Sequence, residues 1–446
     1  MVPAVTGGVR GAAPGRTRAR GPEPPRWRSW ALAVLAWAAA AALAALLTRA
    51  AITHPPHMND LSVYRTAGRQ VLRGKFVYPS VPADQVGNLG RSYLVFTYPP
   101  FAAILAVPLA LIPWHVARLG WVAMVYGPLA MIVFFAFRPL LARTTRYRAA
   151  AFGVIFAVSM FTWPMLQQIR FGQVDIALAA LCVADIAADR PRWPRGLLIG
   201  LATAVKLTPA VFIVYLLVTG RRKAAAVSSA AAAACALVAW LAVPSDSSRY
   251  WTGALLDPAR LGRPRQVSDQ SVRAMLLRAV PAGHVPALLW IAVVLVVTVG
   301  GFAAARRAAA GGNDLAGVAI VGLTGVLVSP VSWIHHMVWV VPAIGALLGD
   351  GHRVWRWIAA TGTAEFFVFF DPYSRMRPWF QAFAPDLVRH LVKDAYGLAA
   401  AAVILLLATV SESGRLAVPA KAGRDKPPPL RAGPGPDYST APDESG

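Results

Sequence analysis

The sequence predicts an all-α polytopic integral membrane protein, and three observations carry that expectation. Of 446 residues, 57% are hydrophobic and only 14% charged, too few polar groups to cover a soluble domain of this length. Apolar runs long enough to cross a hydrocarbon core, which takes about 20 residues in a helix, recur from Trp30 to Thr409. The arginines behind the net charge of +24 gather in short loops and tails beside those runs, where they set orientation. In a soluble chain that charge would point to nucleic acid; here it reads as topology, with no nucleic-acid partner.

Residues 1–28 hold six arginines and one acid among Gly and Pro, a composition read as a disordered cytoplasmic tail. The run Trp30–Ile52 is too long for the apolar region of a signal peptide and reads as a retained first span. A large first extracytoplasmic loop, 53–97, then emerges on the far side of the membrane. Within it Leu61, Tyr64, Gly68, Val71 and Leu72 share one helical face, while Arg65, Arg69 and Arg73 share another. This pattern describes an amphipathic helix in the interface, with Asn59 as its cap and Gly74 in the left-handed position past its end. Asp60 falls in its first turn, where an acid also suits the free backbone donors and the helix dipole.

Further spans fall near 119–137, 150–165, 174–188, 224–243, 284–305, 314–330, 336–349, 354–370 and 391–410. Two apolar segments are shorter or broken: Tyr98–Ile112 is punctuated by proline, and Leu197–Val218 is interrupted at Lys206-Leu207-Thr208-Pro209. If both cross, the loops 138–148, with four arginines, and 190–195, with three, lie outside, against the positive-inside bias. If the first lies in the interface and the second dips in and returns as two half-helices of about 16 Å, every basic cluster is cytoplasmic. The count is therefore ten spans with two partial elements, or twelve. Residues 29–410 form one transmembrane domain, and 411–446, rich in Pro and Gly, form a second disordered tail.

Polar residues collect on the non-cytoplasmic side. Lys206 sits in the middle of an apolar segment, at a cost of a few kcal/mol unless it faces a cavity or a partner. The break at Thr208-Pro209 places a half-helix start beside its ammonium, an arrangement suited to phosphate. In SPVSWIHHMVW, Trp339 fits an interfacial aromatic belt, while His335 and His336 are candidate hydrogen-bond donors. Adjacent histidines point about 100° apart on a regular helix and lack acids or cysteines close in sequence, so no metal is expected. Gln173 and Asp175 in FGQVD, and Asp269-Gln270-Ser271 with Arg278, open helices on the same face, where capping is their ordinary use. Tyr93–Phe101 adds aromatic surface suited to the interface or to a sugar. Cys182 and Cys235 lie in apolar runs and imply no disulfide framework. The short cytoplasmic loops carry no Gly-rich phosphate cradle, so chemistry outside must draw on a membrane-borne energy source.

In order, NDLSVYRTAGRQVLRGKFVY, FTYPPFAAILAVPLALIP, FGQVDIALAAL, GLATAVKLTPAVFIVYLL, DQSVRAMLLR and SPVSWIHHMVWVVPA resemble glycosyltransferase family 87, the polyprenyl-phosphate-mannose-dependent mannosyltransferases of the GT-C superfamily. The likeness runs from about Trp30 to Thr409, with two departures: Asp269 and Asp175 stand where the pattern has Asn. The resemblance implies a GT-C fold and a plasma-membrane enzyme that moves a sugar from a polyprenyl-phosphate-sugar donor to an envelope glycolipid or lipoglycan acceptor, with no cofactor. It implies Asp60 as the base, with inversion to an α-mannoside. Lys206, Arg278, His335 and His336 are then candidates for the donor phosphate, and Tyr64, Gln173 and Gln270 for substrate contacts. An arabinofuranosyltransferase using the corresponding lipid-linked sugar, a transporter or flippase, and a non-catalytic subunit are the competing readings.

Overall fold

The computed structural model describes residues 26–54, 57–78, 95–257, 260, 265–280, 285–371 and 378–415; among these it is built from helices, with no β-strand. The expectations for residues 1–25, Tyr93 and residues 416–446 fall outside the described residues. Helix α1 (Arg26–Thr53) begins inside the stretch read as a tail. It is followed by α2 (Asn59–Leu72), then α3 (Pro100–Leu105) and α4 (Val107–Leu111), which together are far too short to cross a core about 30 Å thick. Next come α5 (Trp114–Ala136), α6 (Arg138–Arg143), α7 (Arg148–Met160) and α8 (Trp163–Phe171). The segment expected as a span at 150–165 is not one straight helix. It bends by 71° between α7 and α8, where Thr162 is extended and Pro164 enters the first turn of α8.

Helix α9 (Asp175–Ala187) leads to α10 (Leu197–Val205) and α11 (Val211–Val218), which are separated by an extended Lys206 and a 3₁₀ turn at Thr208–Ala210. The break expected in the middle of this segment is therefore present. Helices α12 (Arg222–Ala242), α13 (Pro244–Thr252), α14 (Val272–Ala279), α15 (Ala287–Ala310) and α16 (Asp314–Val328) follow. A 3₁₀ segment, Ile334–Trp339, then opens α17 (Val340–Leu348), and α18 (Val354–Phe369), α19 (Pro378–Phe383), α20 (Asp386–Lys393) and α21 (Ala395–Arg415) complete the described residues.

Four of these helices, α1, α5, α12 and α15, are individually long and apolar enough to cross a membrane; the count rises to six if each of two bent pairs is one span. Their outer faces carry large apolar side chains in the open, among them Leu288 at 82% and Leu241 at 75% exposure, as a lipid-facing belt requires. Ten of the thirteen residues of α9 and eleven of the fifteen of α16 are buried, so these shorter helices form the centre of the bundle. Contact between helices relies on small residues, as it must where lipid is as apolar as a side chain. A Cβ added to Gly200 of α10 would lie 2.5 Å from the Ser228 carbonyl of α12. One added to Gly345 of α17 would lie 2.6 Å from the Ala136 carbonyl of α5. Both cysteines are free.

Candidate active site

The start of α2 is fixed by tight backbone packing. Asn59 is already its first helical residue and does not cap it. Met58 stands before it in the left-handed region (φ 59°), with no side-chain cap. Left-handed backbone at His57 and Met58 is costly for residues with a Cβ and must be held by surroundings. Here the Met58 amide donates to the Arg170 carbonyl at 3.0 Å, and the Met58 and Leu61 side chains are fully buried. Gly172, itself at φ 71°, comes so close that an added Cβ would lie 2.8 Å from that of Leu61. Farther along, Gly68 packs directly on the Ala106 carbonyl, and Arg65 donates to the carbonyls of Leu109 at 2.9 Å and Ile112 at 2.6 Å. Gly74 takes the left-handed conformation expected after the helix (φ 61°). Helix α2 is thereby locked against the α3–α4 segment and the end of α8, which brings Asp60 beside Gln173.

Gln173 Nε2 donates to Asp60 Oδ2 at 2.6 Å. The amide's orientation follows from its other side, where Oε1 accepts from the Tyr64 hydroxyl at 2.9 Å and the Tyr98 hydroxyl at 3.1 Å. Those two hydroxyls lie 2.8 Å apart, with the rings edge to face. Burial raises the Asp60 carboxyl to about 7; the Gln173 hydrogen bond and the Lys206 ammonium pull it down, and Asp175 pushes it up. Burial also lifts the Tyr64 phenol well above its ordinary value, so it remains a neutral donor.

Lys206 Nζ lies 5.3 Å from the centre of the Tyr98 ring, a cation–π distance that joins it to the Asp60 group. It donates to Asp175 Oδ1 at 2.6 Å and lies 3.1 Å from His336 Nε2. Lysine and aspartate are both nearly buried, with side chains 13% and 10% exposed. A buried charge of either sign is stable only when paired in this way. Gln173 and Asp175 therefore do not serve as caps: α9 begins without a side-chain cap, and both residues face the cluster.

The histidines also differ from expectation. Residues 334–339 form a 3₁₀ segment with a kink at Met337, so His335 and His336 are not held to the 100° spacing of a regular helix. Their ring nitrogens and an Asp175 oxygen lie within 4.8 Å of one another, a trio able to hold a cation. The acid missing from the local sequence thus arrives from α9, while the Lys206 ammonium already supplies a positive charge to Asp175 and His336. Asp175 Oδ2, 3.9 Å from His336 Nε2, and His335 Nε2 are buried without a hydrogen-bond partner, so both keep unused hydrogen-bonding capacity. A cavity of about 30 Å³ lies alongside, lined by Asp175, Thr208, Pro209, His336 and Trp339 among others. Trp339 is not in an interfacial belt; it is 9% exposed and packs 5.0 Å from the Phe212 ring.

Gln270 and Arg278 occupy a supporting network. Gln270 Nε2 donates to the carbonyls of Val267 and Lys393, and its Oε1 accepts from the Gly397 amide. Arg278 pairs with Asp394 at 2.6 Å and donates to the carbonyls of Gln266 and Asp269. Ser271 caps α14 as its motif suggests. The loop reaches the histidine segment at Ser332, through one backbone and one side-chain bond: Gln270 N donates to Ser332 O at 2.6 Å, and Asp269 Oδ1 accepts from Ser332 N at 2.9 Å. Gln168 completes the support, donating to the His335 carbonyl at 2.6 Å.

Asp60, Tyr64, Gln173, Lys206, His335 and His336 thus meet in one cluster, whereas Gln270 and Arg278 brace the loop beside it. The place of Tyr98 on Gln173 and the pairing of Asp175 with Lys206 are findings of the structure beyond the sequence expectation. The signal for the latter was present, because a lysine and an aspartate in separate apolar segments need each other.

The model of glycosyltransferase family 87 matches residues 96–330, more than half of the chain. The chain belongs to glycosyltransferase family 87. It is 32% identical over 371 residues, 80% of this chain and 84% of the relative, to the polyprenol-phosphate-mannose-dependent α-(1-2)-phosphatidylinositol pentamannoside mannosyltransferase of Mycolicibacterium smegmatis. It is 31% identical over 301 residues, 65% of this chain and 70% of the relative, to a polyprenol-phosphate-mannose-dependent α-(1-2)-phosphatidylinositol mannoside mannosyltransferase of Mycobacterium tuberculosis. No solved structure matches the chain. As a family 87 member it is a membrane glycosyltransferase; the family match takes in Tyr98, Gln173, Asp175 and Lys206, while Asp60 and the two histidines lie beyond its ends.

Proposed function

We propose that this enzyme transfers mannose from polyprenyl-phosphate-mannose to a phosphatidylinositol-mannoside-type glycolipid at the extracytoplasmic face of the plasma membrane, with inversion to an α-mannoside. The observation that carries the reading is the continuous chain Asp60–Gln173–Tyr98–Lys206, which puts a carboxyl of raised pKa and a buried ammonium in one site. Asp60 accepts the proton of an acceptor hydroxyl as that oxygen attacks the anomeric carbon. A carbon–oxygen bond forms on one face, and the bond to the phosphate oxygen breaks on the other. The leaving electron pair goes to polyprenyl phosphate, an anion suited to Lys206 and the unpartnered nitrogen of His335. Both relatives above are named for this donor and for phosphatidylinositol mannoside acceptors, which favours mannose over arabinofuranose. The outer location rests on the basic loops at 138–148, 190–195 and 221–223, which suit the cytoplasm.

The test uses membranes containing the full-length enzyme, an acceptor fraction of phosphatidylinositol mannosides, and each of the two labelled lipid-linked sugars. Transfer of mannose into a product cleaved by an α-mannosidase supports the reading. Transfer of arabinofuranose alone overturns the donor assignment.

A further inference from the structure

The Tyr64 ring has two aromatic neighbours, and each leads to a cation. One is Tyr98 at 5.1 Å, over which the Lys206 ammonium lies. The other is Trp121 of α5, at 5.3 Å. Trp114, Arg118 and Trp121 recur at the spacing of one helical face, and that face is turned toward α2: the Arg118 and Arg65 guanidiniums both lie over the Trp114 ring, at 5.5 and 5.6 Å. Arg69, exposed one turn farther along α2, adds a third positive charge; desolvation and then this neighbour lower the Arg65 guanidinium from its ordinary value. Among the described residues no carboxylate pairs with Arg65, Arg69 or Arg118. Arg65 is tied to the Leu109 and Ile112 carbonyls, whereas Arg118 uses one donor, on the Ile52 carbonyl at 3.5 Å. Arg118 Nε and Trp121 Nε1 are buried without a partner. Idle donors beside uncompensated positive charge suit an anion.

Resting on the acceptor reading above, we infer that Arg118, Trp121 and Arg69 bind the phosphodiester of the acceptor glycolipid. The proposed transfer brings two anionic lipids to one base, and two phosphates sharing a single ammonium would repel each other. Separate cations relieve that repulsion: Lys206 serves the donor, and the arginines between α2 and α5 serve the acceptor. A guanidinium suits the task, because its planar fork of donors matches two phosphate oxygens at once. Arg69 lies nine residues beyond Asp60 on α2, about 13 Å at the helical rise, which leaves a length of helix along which the headgroup sugars extend toward the base.

The experiment measures equilibrium binding by the full-length enzyme in a neutral detergent, with no sugar donor present. Three lipids are compared: a phosphatidylinositol mannoside, a dialkylglycerol carrying the same mannose chain without the phosphate, and polyprenyl phosphate. Arg118→Gln is expected to weaken binding of the first about tenfold and to leave the other two within about twofold. Arg222→Gln, at the start of α12, changes none of the three. Should Arg118→Gln fail to fold, Arg69→Gln provides the second variant, since its exposed side chain can be neutralised without disturbing the packing. Equal weakening for the phosphate-free lipid, weakening for polyprenyl phosphate instead, or competition by phosphatidylglycerol as strong as by the phosphatidylinositol mannoside overturns the assignment. Because no sugar is transferred in any arm, this outcome is separate from whether mannose is the sugar moved and whether Asp60 is the base.

Discussion

Gln173 and Asp60 are 113 residues apart in sequence and joined by a 2.6 Å hydrogen bond. The bond favours the charged form of a carboxyl that burial pushes up, which is the form the proposed base requires. Without the amide its charged form would have one stabilising partner fewer. Gln173→Leu is therefore expected to raise the Asp60 value further. Since the base works deprotonated, the acid limb of the pH profile of kcat/KM, expected near pH 7 in the unaltered enzyme, moves upward by about one unit. A profile measured from pH 5 to 9 checks this; a uniform loss of rate without a shift would make Gln173 merely structural.

Lys206→Met removes the ammonium and leaves Asp175 buried without its partner. Two effects are separable. Transfer is expected to fall about 100- to 1,000-fold through loss of phosphate stabilisation, and the melting temperature falls through the orphaned carboxylate. Pairing the change with Asp175→Asn restores the melting temperature but not the transfer. Recovery of both would reduce Lys206 to a structural ion pair.

Asp60 also links stability to pH. Its value is raised from 3.8 to about 7, so between those limits the folded protein takes up a proton that the unfolded chain does not. The resulting stabilisation is fully present below the lower value and is lost as pH rises through about 7. Asp60→Asn, neutral throughout, should melt roughly 5 °C higher than the unaltered protein at pH 8, with the gap narrowed by more than half at pH 5. Thermal melts in one detergent at the two pH values provide the comparison.

Gly172 stands where both its backbone and its surroundings reject a side chain. Gly172→Ala would push against Leu61 and Met58 and shift the start of α2, at a cost of about 1–3 kcal/mol. Turnover should drop while polyprenyl phosphate binding, which the proposal assigns to Lys206, is largely kept. Isothermal titration with polyprenyl phosphate alongside turnover measurement separates the two.

The parts of the site legible in the sequence were those in the wrong solvent. A lysine inside an apolar segment, two histidines and a glutamine at helix starts, and an acid in an interfacial helix all stand out against a hydrocarbon background, and the structure gathers them. Residues with an ordinary local use were harder to place. Asp175 reads as a helix-start acid until Lys206, 31 residues away, is found bonded to it. Tyr98 reads as interfacial aromatic surface until its hydroxyl is found on Gln173. Gln270 and Arg278 carry suitable chemistry yet bind backbone and Asp394, because three separate segments are tied together beside the histidine turn. Hydropathy located the apolar segments but not their bends. The 71° turn at Thr162 depends on how Pro164 starts the next helix, and that is settled by local backbone geometry.

The account stands on Asp60 as the base, and the most direct measurement is mannose transfer by Asp60→Asn alongside its binding of polyprenyl phosphate. Transfer is expected to fall at least about 1,000-fold while binding stays within about twofold, since the substitution keeps the shape and removes the proton acceptor. Transfer at the unaltered rate, with the same product, would contradict it.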